Sequence, residues 1–211
     1  MFHDRNEAGR LLSEKLKKYQ TDAPVILALP RGGVPIGFQI ATSLHAPLDL
    51  FVVRKIGVPG NPEFGVGAVA PDVLFLDEAT LHALGLTHAD LRETIAREQQ
   101  ELKRRLHVYR GTEDPPAVAG KTVILVDDGV ATGVTTRAAI LGIRRLKPKR
   151  LILAVPVAPL DDVESLKKAV DEFVCLETPA YFYAVGAFYH NFPQVSDEEV
   201  IALLKAKSNR P

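Results

Sequence analysis

Asp127 and Asp128 stand side by side directly after an apolar run, Val123 to Val126, and directly before a Gly/Thr-rich stretch, Gly129 to Thr135. Each piece has its own chemistry. A run such as Val-Ile-Leu-Val suits a parallel strand buried on both faces. Two carboxylates at the end of that strand lie where open α/β sheets bind ligands. They resist sharing a dry pocket unless hydrogen-bond donors or a cation face them. Sugar hydroxyls can be those donors, and a hydrated Mg²⁺ can sit near such a pair. The Gly/Thr turn can wrap N–H groups around an anion at a helix N-terminus. Together these pieces suit a ligand with both hydroxyls and a phosphate, such as a ribose 5-phosphate. Read alone, the acidic pair also suits an ordinary helix N-cap.

Two basic sites precede it. Pro30-Arg31-Gly32-Gly33 joins a strand to a helix, and its glycines allow close approach and positive φ. Arg54 and Lys55 open a segment with Gly57, Pro59, Gly60 and Pro62, read as a loop to Glu63. As residues they suit either an anion contact or a solvated loop start. Six of the chain's nine Phe and five Tyr residues crowd into 178–193: Tyr181, Phe182, Tyr183, Phe188, Tyr189 and Phe192. Such rings either pack a core edge or cover a planar ligand.

The elements that must position these residues follow from periodicity. Helices are expected over Asn6–Tyr19, Val34–Leu44, Thr87–Tyr109, Thr136–Leu146, Leu160–Val170 and Ser196–Lys207. Strands are expected over Val25–Leu29, Asp49–Arg54, Val123–Val126, Leu151–Val157 and Glu172–Leu176, with a short pair at Val66–Val69 and Val73–Leu76. This alternation predicts an α/β fold: a mostly parallel twisted sheet with helices on both faces. We expect one domain over 1–211, a charged helical insertion at 77–110 and an aromatic-rich hood at 177–195. Thr87 is the expected N-cap of the charged helix, with Asp90 three residues on. That helix carries i,i+4 pairs such as Glu101–Arg105 on its solvated side. Its thin apolar stripe of Leu91, Ile95, Leu102 and Leu106 suggests a homo-oligomer contact, a dimer.

The 211 residues are 46% hydrophobic and 25% charged, with formal net charge zero. No overall basic field favours nucleic acid or an anionic membrane. One cysteine, Cys175, forbids an internal disulfide. The six histidines lack metal-ligand spacing. No apolar stretch follows the polar N-terminal residues, and none reaches a membrane span, so a cytoplasmic protein is expected.

Val123 to Thr135 resembles the signature of the type I phosphoribosyltransferases: apolar strand, two acidic residues, two intervening residues, then a short Thr-Gly-x-Thr turn. The resemblance implies that Asp127 and Asp128 bind the ribose hydroxyls of phosphoribosyl pyrophosphate. It assigns the 5-phosphate to Ala131, Thr132, Gly133, Val134 and Thr135. It makes Arg31, Gly32 and Gly33 the pyrophosphate loop, in which the family often has a cis peptide, and adds Arg54 and Lys55 from a mobile loop. Arg31, Arg54 and Lys55 are then the catalytic cations. Mg²⁺ is carried mainly by the substrate, near Asp127 and Asp128, with no direct protein ligand assigned. Tyr181, Phe182 and Tyr189 are the candidates to cover an unidentified base. The 6-oxopurine salvage enzymes typically carry a third Asp where this chain has Ala131, which weighs against that base class. A non-catalytic regulator that binds phosphoribosyl pyrophosphate is the other reading.

Overall fold

The computed structural model describes residues 1–208, apart from the side chains of Glu63 and Ser208. Along the chain run α1 (Arg5–Leu16), β1 (Val25–Ala28), α2 (Gly33–Ser43), β2 (Leu48–Leu50), β3 (Arg54–Val58), β4 (Asn61–Ala70) and β5 (Val73–Leu76). Then follow α3 (Glu78–Leu84), α4 (Arg92–Arg110), β6 (Thr122–Val126), α5 (Val134–Arg145), β7 (Arg150–Val157), α6 (Leu160–Ala169), β8 (Glu172–Glu177) and α7 (Asp197–Ser208). Short 3-10 turns cover Lys17–Asp22 and Val185–Phe188. The chain forms two compact units. The first takes Met1–Phe51, Pro116–Ala131 and Leu146–Pro211, and the second takes Val52–Pro115 and Thr132–Arg145.

The first unit holds a five-stranded, all-parallel sheet in the order β2-β1-β6-β7-β8. The α/β expectation is met, and every residue of β1 and β6 is buried. Their apolar runs tolerate this because both sheet faces are covered. From β1 the order turns one way to β2 and the other way to β6, β7 and β8. That reversal is a topological switch point, where such sheets leave a crevice beyond the strands' carboxyl ends. The register is level there: Ala28 pairs with Val126, and the Leu29 N–H donates to the Val126 carbonyl at 2.9 Å. The loop after β1 and the acidic pair after β6 therefore leave the sheet side by side.

α1 begins at Asp4, whose carboxylate accepts the Glu7 N–H at 2.8 Å. Its buried face carries Arg5, Ala8, Leu12 and Leu16 and packs on α2, β7 and β8. An arginine on that face is unexpected, and it turns out to be part of the site. α7 packs on α2 and β2.

The second unit is a three-stranded antiparallel sheet, β3-β4-β5, with α4 and α5 packed against it. Here the structure corrects three expectations. The apolar run to Arg54 is not one strand: β2 stops at Leu50, the chain passes into the second unit, and Arg54 opens β3. No turn residue marks that break. The stretch after Lys55 is not a loop but a hairpin. Register shifts at Ile56/Gly57 and Gly57/Val58 absorb the glycine, and Pro59-Gly60 makes the tip, with Gly60 at φ 81°. Finally, the charged helix starts at Arg92. The Thr87 N–H and Oγ1 both donate to Asp90 Oδ2, at 2.8 and 2.7 Å, so the carboxylate caps a turn and Thr87 caps nothing.

The apolar stripe of α4 is spent inside its own unit. Glu98, Leu102, Leu106 and Tyr109 are buried as α4 packs on β3 and β4, which removes that stripe as an argument for a dimer. The Glu101–Arg105 pair forms at 2.8 Å, and Arg104 joins it at 2.7 Å. Hydrogen bonds from Arg104 and then Arg105 hold the Glu101 carboxyl down to about 2. No helix among the described residues is long and apolar enough to cross a membrane.

Candidate functional site

At the switch point, two turns are locked together by what glycine lacks. A Cβ on Gly32 would fall 1.9 Å from Asp128 Oδ2 and 2.5 Å from its Cγ. A Cβ on Gly33 would fall 2.7 Å from the Val126 carbonyl and 3.0 Å from Asp127 Cα. The loop after β1 thus lies directly against the acidic pair after β6. Close approach is the reason for both glycines. Positive φ is not: Gly32 sits at φ −62°, ψ −32°, and Gly33 is already helical. The Pro30–Arg31 peptide is cis.

Asp128 is the hub. Arg5 reaches it from α1, with Nε 2.9 Å and Nη2 2.8 Å from Oδ2. The third arm of the same guanidinium, Nη1, donates to the Pro193 carbonyl at 2.7 Å, and its face lies 3.7 Å from the Phe192 ring centre. Tyr189 donates its hydroxyl to the Asp128 backbone carbonyl at 2.7 Å. Asp127 accepts the Asp128 N–H at 2.8 Å. Burial, and then the charge of Asp128, push the Asp127 carboxyl well above the usual carboxylate range. Burial raises Asp128 too, but Arg5 opposes it. Charge therefore settles on Asp128, and Asp127 is the member that readily keeps a proton. The Tyr189 phenol is raised by burial and by Asp128, so it remains a donor.

A cavity of about 440 Å³ opens beside this hub, lined by Arg5, Arg31, Gly32, Asp128, Val185, Phe192, Pro193, Gln194 and Val195. Arg31 and Gly32 thus share a cavity with Asp128. Arg31 Nη1 lies 3.5 Å from Asp197 Oδ1 at the start of α7. The three aromatic residues expected to cover a base do not line it. Tyr181 is 84% exposed, Phe182 stacks on Phe188 at 5.5 Å, and Tyr189 is buried at 6% with its hydroxyl already engaged. Phe192 and Val185 stand there instead. Val185 comes so close to Gly129 that a Cβ there would meet it at 2.6 Å.

The Thr-Gly-Val-Thr turn opens α5 in the second unit. Ala131 and Thr132 are exposed, Gly133 is at φ 69°, and the Arg137 N–H donates to the Gly133 carbonyl at 2.8 Å as the helix starts. The N–H groups of Val134, Thr135 and Thr136 precede that first bond, as at an anion-binding helix terminus. Within the same unit Arg54 and Lys55 line a cavity of about 500 Å³ between the β3–β4 hairpin and α4. Arg54 bonds Glu98 Oε2 through Nε at 3.0 Å and Nη2 at 2.7 Å. Glu98 on α4 was not singled out by the sequence, because a Glu in a charged helix looks solvated.

Among the described residues no group of three or more His, Cys, Asp or Glu could hold a metal ion. Two carboxylates, one already bonded to arginine, cannot cage Mg²⁺ alone. Any Mg²⁺ beside them would need most of its oxygens from a bound ligand and water. Cys175 lies away from the acidic pair, its Sγ 3.1 Å from the Glu177 carbonyl, and burial pushes its thiol up to about 11. At pH 8 it should hold on the order of 100-fold less thiolate than a free cysteine. Iodoacetamide labelling should be correspondingly slow in the native protein and fast in urea. Similar rates in both would contradict this burial.

Comparison with known proteins points the same way. A family model described as a phosphoribosyl transferase domain matches residues 3–192. A Mycobacterium tuberculosis protein bearing a provisional phosphoribosyl transferase name is 43% identical over 205 residues, 97% of this chain. The chain spans about half the length of that relative, 46%. The crystal structure of TT1426 from Thermus thermophilus is 43% identical, superposes with a TM-score of 0.79 and covers 97% of each chain. A shorter match, 53% identical over 49 residues, links 23% of this chain to 27% of the bifunctional protein PyrR of Pelotomaculum thermopropionicum.

Proposed function

Since the chain belongs to the phosphoribosyl transferase domain family, we propose that it transfers the 5-phosphoribosyl group of phosphoribosyl pyrophosphate to a nitrogen acceptor and releases pyrophosphate. The observation that carries this reading is the contact of Gly32 with the Asp128 carboxylate at the switch point. It sets an acidic turn, able to accept hydroxyls, directly against a turn with a basic residue, able to face an anion.

In this reading the carboxylates of Asp127 and Asp128 accept the ribose 2′ and 3′ hydroxyls. Those donors relieve a buried acidic pair that otherwise resists full ionisation. Ala131, Thr132, Gly133, Val134 and Thr135 hold the 5-phosphate through helix-opening N–H groups and two hydroxyls. Arg31, Gly32 and Gly33 face the pyrophosphate, and the resemblance adds Arg54 and Lys55. As the C1′–oxygen bond breaks, negative charge grows on the leaving pyrophosphate while the sugar becomes cation-like. Fixed positive groups at the leaving end stabilise that state, each typically contributing on the order of 3 kcal/mol to the barrier. Bound Mg²⁺ would neutralise the same charge. The acceptor nitrogen then bonds C1′. No side chain needs to act as covalent nucleophile.

The test is pyrophosphate release from phosphoribosyl pyrophosphate with Mg²⁺ and a panel of purines, pyrimidines and pyridine carboxylates. Release with one acceptor class supports the transferase. Binding without release across the panel would instead leave a regulator that senses the compound. Asp128→Asn should abolish Mg²⁺-dependent binding of phosphoribosyl pyrophosphate while the fold survives. Calorimetry giving wild-type affinity would end the ribose assignment.

A further inference from the structure

We infer that Arg5 is a positioning residue: it fixes the Asp128 carboxylate for a ribose and, with the same guanidinium, holds residues 192–193 beside it. This rests on the ribose assignment to Asp128. The geometry is specific to arginine. Nε and Nη2 both address Oδ2, so Oδ1 is left unengaged by Arg5. Nη1 bonds the Pro193 carbonyl, and the flat face covers Phe192. The Arg5 side chain is only 10% exposed, and Asp128 only 16%. A lysine ammonium is a point charge and cannot address a carboxylate oxygen, a carbonyl and a ring at once.

The backbone around Arg5 reinforces the link. The Phe2 N–H donates to the Phe188 carbonyl at 2.8 Å, and the His190 and Asn191 N–H groups donate to the Phe2 and His3 carbonyls, both at 2.9 Å. Phe2 packs on Tyr189 at 5.4 Å, and Tyr189 on Phe192 at 4.9 Å. Residues 2–5 and 188–193 thus form a strap that meets Asp128 twice: at its carboxylate through Arg5 and at its carbonyl through Tyr189. A change in how Asp128 is engaged reaches residues 188–193 through two short, part-buried contacts.

The experiment compares full-length wild type, Arg5→Ala and Arg5→Lys, with ribose 5-phosphate and inorganic pyrophosphate as separate calorimetric probes. Ribose 5-phosphate affinity should fall about 10- to 100-fold in both variants, the range for losing hydrogen bonds to a charged group. Pyrophosphate affinity should fall much less, within about twofold, since the Arg5 guanidinium bonds Asp128 and Pro193 rather than Arg31, Gly32 or Gly33. Millimolar guanidinium, against matched NaCl, should restore part of the loss in Arg5→Ala. Hydrogen exchange should rise at the amides of residues 188–193 in ligand-free Arg5→Lys. Loss of both probes together would reduce Arg5 to a general structural role, and loss of neither would overturn the inference. So would unchanged exchange at 188–193. If Arg5→Ala does not fold, Arg5→Lys carries the comparison. If wild type binds neither probe, the proposed function fails, and the exchange measurement alone decides whether Arg5 holds the strap.

Discussion

Gly32→Ala should cost at least 100-fold in affinity for phosphoribosyl pyrophosphate while leaving the protein folded. Adding one methyl group is a clean test, because the backbone at Gly32 (φ −62°, ψ −32°) is one any residue adopts. The difficulty is space. The new carbon would lie 1.9 Å from Asp128 Oδ2, 2.5 Å from Cγ and 3.0 Å from Oδ1, so the carboxylate must move by more than an ångström. It cannot swing away freely, because Arg5 already holds Oδ2 with two nitrogens. Misplacing a reactive contact by about 1 Å commonly costs 10²-fold. Overpacking adds about 1–3 kcal/mol of instability. Calorimetry with Mg²⁺ and phosphoribosyl pyrophosphate, paired with a thermal melt, reads both effects. Wild-type affinity in Gly32→Ala would mean that the Asp128 carboxylate is not part of the binding surface.

The second large effect has opposite signs for stability and binding. Asp127→Asn should raise the stability of the ligand-free protein by on the order of 1–2 kcal/mol at pH 7, the usual scale when a site residue is relieved of its strain. The same change should sharply weaken ribose binding. Burial and the Asp128 charge raise the folded-state pKa of Asp127 above its unfolded value. A group shifted upward contributes stability that is complete below the ordinary carboxylate pKa and is lost as pH climbs through the folded value. The gap between variant and wild type should therefore be near zero around pH 4 and widen toward neutrality. The amide keeps an oxygen for the Asp128 N–H that Asp127 Oδ1 now accepts, so the turn need not change. What disappears is the cost, above the ordinary carboxylate pKa, of either taking up a proton or burying a second charge beside Asp128. Melting curves from about pH 4.5 to 8 settle it. An asparagine variant less stable at pH 7, or a gap that does not grow, would mean that the pair is not repulsive in the free protein.

The sheet and the acidic turn were legible because both are local. Val123 to Val126 is one uninterrupted apolar run, and the two Asp residues are its immediate successors. Arg31 and Gly32 were legible for the same reason, although the purpose of Gly32 was only half right: it needs room, not a left-handed backbone. Arg5 was not legible as a ligand of Asp128, because 123 residues separate them. One signal was available. Arg5 continues the stripe of Ala8, Leu12 and Leu16, and a cation on the buried face of a helix must find an anion. Glu98 carries the same lesson on α4. The β3–β4 hairpin was hidden by its composition, since Gly57, Pro59, Gly60 and Pro62 read as loop unless the paired register is known. Which ring borders the cavity, Tyr189 or Phe192, was beyond periodicity. The segment has only a 3-10 turn at Val185–Phe188, so no repeat marks an inside and an outside.

The two units are interleaved, not consecutive. The chain changes unit after Phe51, Pro115, Ala131 and Arg145. The last of these excursions, Thr132–Arg145, is cut out of the middle of the proposed sugar-phosphate motif. A gene fragment with one start and one stop can therefore encode neither unit by itself. Swapping the second unit for that of a relative would take two separate insertions, and the shorter would carry part of the proposed 5-phosphate turn with it. For anyone redesigning the β3–β5 sheet, the longer piece, Val52–Pro115, can be exchanged without rewriting a residue between Asp127 and Thr135, but the replacement must keep Arg54 and Lys55 and the face that packs on α5.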